Sequence, residues 1–381
     1  MAVYKIFPTK DATIYSRYPA KNTGLDSIIE ATADFSIGTA HVSRYLIQFS
    51  QDEINSIIDN KIGTSSFQTN LKNYIANIEH LNTDTTLEVY PISGSWNMGT
   101  GRYGDSPEVD NGVSWVYKIY SGSGAWTTLG FSDYVTASYS SVEGGGTWYT
   151  GSALGLNVTQ SKVYNYTSTK DLNVDVTNTI LTWYSASNSL GGFTNDGFII
   201  KQSNSDEFVE SLYKQAKLQF YSVDTNTIYP PELQFQWDDF LYVTSSTIST
   251  INTTQMVVAL DNNPGVFRRD EVHKFKINVR PEFPTRVYQT ASLYTPSYYL
   301  PETSYYAIKD LDTNEFIFSF HDTYTKISAD SESSYFNIYM NGLEPERYYQ
   351  ILLKVVLNGE TSILDDNYYF KIINGWVKEL I

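Results

Sequence analysis

The segment from residue 171 to residue 201, DLNVDVTNTILTWYSASNSLGGFTNDGFIIK, constrains the fold most, because it sets a strand, a helical turn and a second strand in order. Leu172 and Val174 alternate with polar residues, which is the period of a half-buried strand. Asp175 or Thr177 can then cap one helical turn, which a glycine pair ends. The apolar run FII after the turn NDG predicts a core strand. The whole segment therefore predicts a scaffold and not a catalytic site.

The composition favours an all-β protein with large cores. Tyrosine, phenylalanine and tryptophan make up 15% of the 381 residues, and these residues suit half-buried pleated surfaces. The length is sufficient for two or three domains. Because the chain has no cysteine, disulfides and cysteine-ligated metals are excluded.

The charge excludes a further class of function. The formal net charge of −16 repels phosphate backbones and leaves no basic stripe, so we expect no nucleic-acid partner.

No window approaches the roughly 18 apolar residues that a membrane span needs, so no membrane partner is expected either. The first residues also lack a secretory signal pattern, although a chain cut from a longer protein would look the same.

Five blocks in fixed order resemble the DNRLRE family, a jelly-roll-like β-sandwich module of large surface, extracellular and virion proteins. Besides the segment at 171–201, they are KDATIYSRYPAKNTGLDSIIEATAD (10–34), SRYLIQFS (43–50), TLEVYPISGSWNMGTGRYGDSPEVDNGVSW (86–115) and KLQFYSVDTNTIYPPELQFQW (217–237). The resemblance implies one β-sandwich over residues 1–238. Within it, the capping box Ser50–Glu53 predicts a short helix that ends near Gly63.

Residues 239–381 predict an immunoglobulin-like or fibronectin-like β region, as one domain or two small ones. Turn signals recur between the runs of strand-forming residues. Two of them are the four residues 262–265 and the Asn-Gly pair 358–359. The segment with Leu343, Pro345, Tyr348 and Tyr349 resembles a tyrosine-containing turn of fibronectin-type modules. The other interpretation is a tyrosine packed at a sandwich corner.

The histidines do not indicate an enzyme. The chain has four of them, His41, His80, His273 and His321, and none lies in a recognisable catalytic frame. The closest pair in sequence, His41 and His80, is 39 positions apart, which is unlike the spacing of zinc ligands. We therefore expect a protein that is not an enzyme and that needs no cofactor.

A glycine-rich loop carries the candidate metal ligands Asp105, Glu108 and Asp110. Their oxygens are of the kind that calcium takes from one loop. Two carboxylates for glycoside hydrolysis and a solvated acidic loop are the other interpretations, and the solvated loop is favoured.

Aromatic residues in the same region suggest a glycan-binding site. Trp126, Trp148 and Tyr103 stand in glycine- and serine-rich sequence, where exposed rings can stack on sugars. For Trp96 and Trp115 the favoured interpretation is burial in the core, because large aromatics dominate sandwich cores.

These observations together predict a non-enzymatic structural component of a tailed-bacteriophage virion, assembled in the host cytoplasm, in a neck, collar, tail or head-decoration layer. It would form a homo-oligomer and make symmetric contacts with other virion proteins. The alternative is a host-surface glycan-binding module. A C-terminal segment either contacts a partner or folds back on its own domain, through Trp376, Val377, Leu380 and Ile381.

Overall fold

The computed structural model describes residues 2–36, 39–120, 124–126, 144–207, 216–284 and 297–374. The chain is all-β and divides into two compact units. The N-terminal unit comprises Ile6–Gly63 and Gln68–Gln234, and the C-terminal unit comprises the residues up to Lys5, Thr64–Phe67 and the chain from Phe235 onward. The main division lies close to residue 238, but two short early segments belong to the C-terminal unit. Among the described residues no helix is long and apolar enough to cross a membrane.

The described residues of the first part of the chain contain short strands and three α-helices. The strands are β1 (Ala2–Ile6), β2 (Lys10–Tyr15), β3 (Ile28–Ser36), β4 (Thr39–Gln48), β5 (Phe67–Asn73), β6 (Ile75–Glu79), β7 (Thr85–Pro91), β8 (Ser152–Ala153), β9 (Leu156–Asn157), β10 (Gln160–Tyr164), β11 (Leu172–Asp175), β12 (Phe198–Gln202), β13 (Lys217–Tyr221) and β14 (Glu232–Trp237). The helices are α1 (Gln51–Ile57), which continues as a π-helical turn over Ile58–Ile62, α2 (Thr177–Ser187) and α3 (Asn204–Glu207).

These strands form two main sheets. An eight-stranded sheet has the order β10-β7-β12-β4-β3-β13-β6, with β2 paired to β4, and a four-stranded sheet has the order β1-β14-β5-β11. The side chain of Asn73 on β5 donates to the Tyr45 hydroxyl on β4 at 2.9 Å, inside the core between the two sheets. Because buried polar atoms need hydrogen-bond partners, this bond helps to hold the two sheets together.

Residues 171–201, which constrain the fold most, form the expected elements, but the helix among them is longer than predicted. They contain β11, α2 and β12, and α2 has 11 residues, so the prediction of a single helical turn is wrong. The N-cap of α2 is Val176, which forms no side-chain cap bond, so the predicted cap by Asp175 or Thr177 is wrong. The Thr177 amide and hydroxyl instead donate to the Asp175 carboxylate just before the helix, at 2.9 and 2.6 Å. Ile180 and Trp183 are both buried, and Trp183 packs on Phe198 of β12. The helix extends because this apolar face continues past its first turn.

The predicted capping box is confirmed. The Ser50 side chain accepts a hydrogen bond from the Glu53 amide, and Ile54 and Ile57 on α1 are buried. Gly63 ends the helical segment with a φ of 61°, a conformation in which a Cβ would be strained. The sequence therefore located both ends of this element.

The second part of the chain contains nine described strands. They are β15 (Met256–Leu260), β16 (Val266–Arg268), β17 (Val272–Pro281), β18 (Ser304–Asp310), β19 (Phe316–Phe318), β20 (Ser328–Ala329), β21 (Ser334–Tyr339), β22 (Tyr348–Leu357) and β23 (Glu360–Ile373). A 3₁₀ turn over Met340–Gly342 follows β21.

These strands form an immunoglobulin-like sandwich. One sheet has the order β15-β17-β21-β20, the other has the order β16-β23-β22-β18-β19, and β16 pairs parallel with β23. In immunoglobulin letters this is A-B-E-D against A′-G-F-C-C′. Side chains from both sheets form one core, with Phe275 and Phe336 on the first sheet and Tyr306 and Phe370 on the second. The described residues of this region thus share a single sandwich core.

The turns explain how this sandwich closes. Asn358 and Gly359 join β22 to β23 with φ values of 54° and 84°, as the sequence predicts for a hairpin. Residues 262–265 connect β15 of one sheet to β16 of the other, so the turn signal there does not close a hairpin. The buried Tyr349 donates its hydroxyl to the Glu344 carbonyl at 2.9 Å, which confirms the interpretation of this tyrosine as a sandwich corner.

Candidate functional site

Four tryptophans cover one face of the eight-stranded sheet. Trp96, Trp115, Trp126 and Trp148 share one buried cluster with residues of β2, β4 and β12, namely Ala12, Ile14, Val42, Leu46 and Ile199. The predicted burial of Trp96 and Trp115 is confirmed. The expectation that Trp126 and Trp148 are exposed is wrong, since they are 9% and 1% exposed.

The glycines beside these two tryptophans explain the error. These glycines permit one backbone segment to approach another closely, whereas in the sequence they suggested exposed loops. A Cβ on Gly144 would lie 2.1 Å from the Trp115 carbonyl oxygen, and one on Gly124 would lie 1.8 Å from that of Ile119. The Trp126 indole donates to the Ser114 carbonyl at 3.0 Å, which satisfies its polar atom inside the cluster. Glycan stacking on Trp126 and Trp148 would require both rings to leave the core.

Beneath the indoles lies an arginine that the sequence analysis did not single out. Arg44 on β4 is fully buried, and its guanidinium is 5.1 Å from the Trp115 ring and 5.2 Å from the Trp148 ring. It donates to both carboxylate oxygens of Glu207, at 3.0 and 2.6 Å, and to the Gly145 carbonyl at 2.8 Å. A bidentate arginine–carboxylate pair fixes the relative orientation of the two side chains as well as pairing their charges.

A second buried cation completes this cluster. The Lys201 ammonium on β12 lies 3.6 Å from Glu207 and 3.3 Å from Glu88, and it donates to the Asn204 side chain at 2.7 Å. Arg44, Lys201 and Glu207 are all buried. The role of this cluster is structural, since it ties β4 and β12 to α3.

Tyr103 differs from the tryptophans because 46% of it is exposed. Its ring centroid lies 5.0 Å from that of Tyr15 and 5.8 Å from that of Tyr18. Its amide donates to the carboxylate of Asp26 at 3.1 Å, and its carbonyl accepts from Lys21 at 3.0 Å. Both ends of the residue are thus fixed while the ring faces outward, and glycan binding by Tyr103 stays a prediction.

The three predicted calcium ligands have separate partners. Asp105 accepts from the Arg102 amide at 2.7 Å, and Glu108 lies 3.4 Å from the Lys21 ammonium. Asp110 accepts from the Tyr120 hydroxyl, which raises the pKa of that phenol. In the part of the chain that the structure describes, no group of three histidine, cysteine or acidic side chains is placed to hold a metal. Calcium binding at this loop stays a prediction without a converged set of ligands.

The histidines are held by neighbouring groups. The His273 ring nitrogen Nε2 is 2.7 Å from the Asn262 carbonyl oxygen, and the ring packs against Phe267 and Phe275. The His321 ring accepts from the amide of Thr323. Burial, followed by the nearby Arg17, lowers the pKa of His41. Each of these contacts explains its histidine without a reaction.

Asp11 on β2 is a buried acid that the sequence analysis also passed over. Burial raises its pKa to about 8, and the charges of Asp224 and Asp26 add to the shift. One carboxyl oxygen accepts from the Val223 amide at 2.6 Å, whereas the other has no hydrogen-bond partner among the described residues. At neutral pH this side chain is therefore largely protonated.

The outer face of the β16-β23-β22-β18-β19 sheet, here called the open face, carries exposed apolar side chains. Ile363, Phe316 and Tyr369 are 59%, 48% and 40% exposed. Ile363 pairs with Lys354 across β22 and β23, and Phe316 pairs with Lys309 across β18 and β19. Leu353 and Val355, which flank Lys354 in sequence, belong to the core. Because side chains alternate along a strand, Lys354 and its cross-strand partner Ile363 lie on the outward side of the sheet. The predicted partner segment, with Trp376, Val377, Leu380 and Ile381, lies outside the described residues.

Comparison with known proteins places the chain in no family. No family model matches the sequence, and no curated protein matches it. Among solved structures, one of the Parabacteroides merdae β-glucuronidase matches with 10% identity and a TM-score of 0.22, over 97% of this chain and 36% of that chain. A second structure of that enzyme, with glycerol in its active site, gives 9% identity and a TM-score of 0.17, over 87% of this chain and 28% of that chain. The chain spans about a third of the length of these proteins.

Proposed function

We propose that this chain is a non-enzymatic structural component of a tailed-bacteriophage virion and that it acts through protein–protein contacts made by the open face. The observation that carries the proposal is the exposure of three apolar side chains on the open face, those of Ile363, Phe316 and Tyr369. Aromatic and aliphatic side chains of this kind are enriched in the buried centres of protein interfaces. The resemblance to DNRLRE modules supports a virion protein.

The charge of the open face favours one mode of assembly. Lys354 lies 4.8 Å from the Tyr305 ring centroid, and Lys309 lies 5.9 Å from that of Phe316, so cations stand among the apolar side chains. Two copies of this face would bring lysines against lysines. An acidic surface elsewhere on a chain of net charge −16 is complementary to it. Such head-to-tail contacts generate rings when they close, which suits a homo-oligomer in a neck, collar or tail layer.

Light scattering on the purified chain, with and without calcium, tests the assembly. We expect a defined oligomer that becomes a monomer in the Ile363→Lys variant, because a charge at the centre of the contact prevents burial. The matched control is Leu190→Lys, which changes an exposed leucine of the N-terminal unit and is expected to leave the mass unchanged. A wild-type monomer at every concentration, or an Ile363→Lys variant with the wild-type mass, would contradict the homo-oligomer.

The virion assignment has its own test. Phage particles produced by a host that carries the gene should contain the chain in a fixed ratio to the major capsid protein. Peptide mass spectrometry of purified particles measures this ratio. If the chain is made in the host but is absent from the particles, the virion proposal is wrong, whatever its oligomeric state.

A further inference from the structure

A groove on the N-terminal unit is separate from the open face. It consists of two adjoining depressions of about 320 and 280 Å³ that share Tyr15, Glu30, Tyr103 and Lys217. These residues come from β2, β3, β13 and the loop that follows Trp96. The combined space is within the usual range for small-ligand sites, which is about 300–1,000 Å³.

Three tyrosine rings form the apolar part of the groove. Tyr15 and Tyr103 are tilted by 54°, and Tyr18 meets Tyr103 edge-on at 81°. The Lys21 ammonium lies 4.7 Å from the Tyr18 ring centroid and 5.2 Å from that of Tyr103, which helps to fix both rings. A fixed and exposed ring offers a flat apolar surface at little cost in conformational entropy. The apolar face of a sugar ring is a matching surface.

The polar groups of the groove both donate and accept. Gln219 donates to Glu30 at 2.8 Å, and the Lys217 ammonium is 3.4 Å from the same carboxylate. The Asp26 carboxylate accepts from the Tyr103 amide, and burial raises its pKa. A hydroxyl group can donate one hydrogen bond and accept two, so a wall of held carboxylates, an amide and an ammonium suits a ligand rich in hydroxyls.

The charges narrow the class of ligand. The groove is lined by four carboxylates and by two permanent cations, Arg17 and Lys217; the carboxylates belong to Asp26, Glu30, Asp34 and Glu79. This excess of negative charge disfavours uronic acids and other anionic sugars. We propose that the groove binds a neutral or amine-bearing oligosaccharide, with the Tyr103 ring as its stacking platform.

This inference goes beyond the structural role proposed above. It rests on the N-terminal unit alone, whereas the assembly proposal rests on the open face of the C-terminal unit. Loss of saccharide binding and loss of oligomer formation are therefore separate outcomes. Either proposal can fail while the other holds.

Calorimetric titration of the full chain with three hexasaccharides tests the inference. The probes are chitohexaose, which is neutral, its fully deacetylated form, which is cationic, and hexagalacturonate, which is anionic. We expect binding of one or both of the first two, at least about tenfold tighter than binding of the third. In the Tyr103→Ala variant the affinity should fall at least about tenfold. The matched control is Tyr166→Ala, since Tyr166 is 91% exposed on the same unit, and its affinity should match the wild type.

A second variant distinguishes the loss of a groove contact from a displacement of the loop that carries Tyr103. Gln219→Leu keeps the volume of a strand residue and removes one polar group of the groove, so the affinity should fall while the melting temperature holds. The inference is overturned if none of the three sugars binds, if the anionic sugar binds best, or if both groove variants bind like the wild type.

Discussion

In the N-terminal unit, loops with four tryptophans cover one face of the eight-stranded sheet. In the C-terminal unit the open face of the five-stranded sheet leaves Ile363, Phe316 and Tyr369 in solvent, although Tyr305, Ala307 and Leu352 on the same side are buried. The cations differ in the same way. Arg44 is buried between indoles and paired with Glu207, while Lys354 is partly exposed and lies over the buried Tyr305 ring. Covering a sheet face allows buried charge to fix the fold, and leaving it open keeps that face available for a partner.

Removing the covered cation should have the largest effect. In Arg44→Met the Glu207 carboxylate loses its bidentate partner in a closed site, so we expect the free energy of unfolding to fall by about 3–5 kcal/mol. Chemical denaturation measures the change. The double variant Arg44→Met/Glu207→Leu should recover part of it, because the unpaired Glu207 charge is gone while the buried Lys201 keeps only its contact with Glu88. The control Lys354→Met, on the open face, should lie within about 0.5 kcal/mol of wild type. Equal losses for Arg44→Met and Lys354→Met would remove the contrast.

The buried acid Asp11 predicts a pH dependence. Its pKa is about 8 in the folded chain and near 3.8 when unfolded, so the folded state retains a proton that the unfolded state releases. Stability from this group is complete below pH 4 and declines as the pH rises towards 8. Relative to wild type, Asp11→Asn should be more stable by roughly 2–4 kcal/mol at pH 8 and nearly equal at pH 4. Melting curves at both pH values measure this difference, and a variant that is less stable at pH 8 would show that Asp11 is ionised in the fold.

The sandwich corner of the C-terminal unit predicts a smaller change. Tyr349→Phe removes the hydrogen bond to the Glu344 carbonyl and leaves the ring in the core, which should cost about 1 kcal/mol. The neighbouring control Tyr348→Phe alters an exposed ring and should fall within about 0.5 kcal/mol of wild type. Urea titration of both variants is sufficient. Equal stability of the two would mean that the corner bond adds nothing to this sandwich.

The open face predicts the smallest change in stability. Ile363→Lys replaces a side chain that is already in solvent, so the free energy of unfolding of the monomer should change by less than about 0.5 kcal/mol. Denaturation at a concentration below that of assembly measures it. A large loss would mean that Ile363 supports its own domain and that the face is not free for a partner.

The sequence predicted much of the fold because the relevant signals are local. The Ser50 cap, the Asn358–Gly359 hairpin and the corner Tyr349 each depend on a few adjacent residues. The predicted length of α2 was wrong because a tertiary contact beyond the first turn, that of Trp183 with Phe198, is invisible to local sequence signals.

The candidate site was harder to predict because its residues meet only in three dimensions. Tyr103 is exposed as the sequence suggested, but its neighbour Tyr15 is 88 positions away in the chain. The burial of Trp126 and Trp148 depends on the glycine contacts and on the sheet beneath them. Arg44 stands in an ordinary strand pattern, and Glu207 lies 163 positions from it, so no local signal marks the pair.

The position of the tryptophans has an optical consequence. The six that lie in described residues are buried, five of them in the N-terminal unit, and Trp237 belongs to the C-terminal unit. Indole emission from the folded chain should therefore be blue-shifted, and its red shift on denaturation should report mainly on the N-terminal unit. The C-terminal sandwich, with its many tyrosines, is better followed by circular dichroism. Recorded together, the two signals would separate the unfolding of the units without any added label.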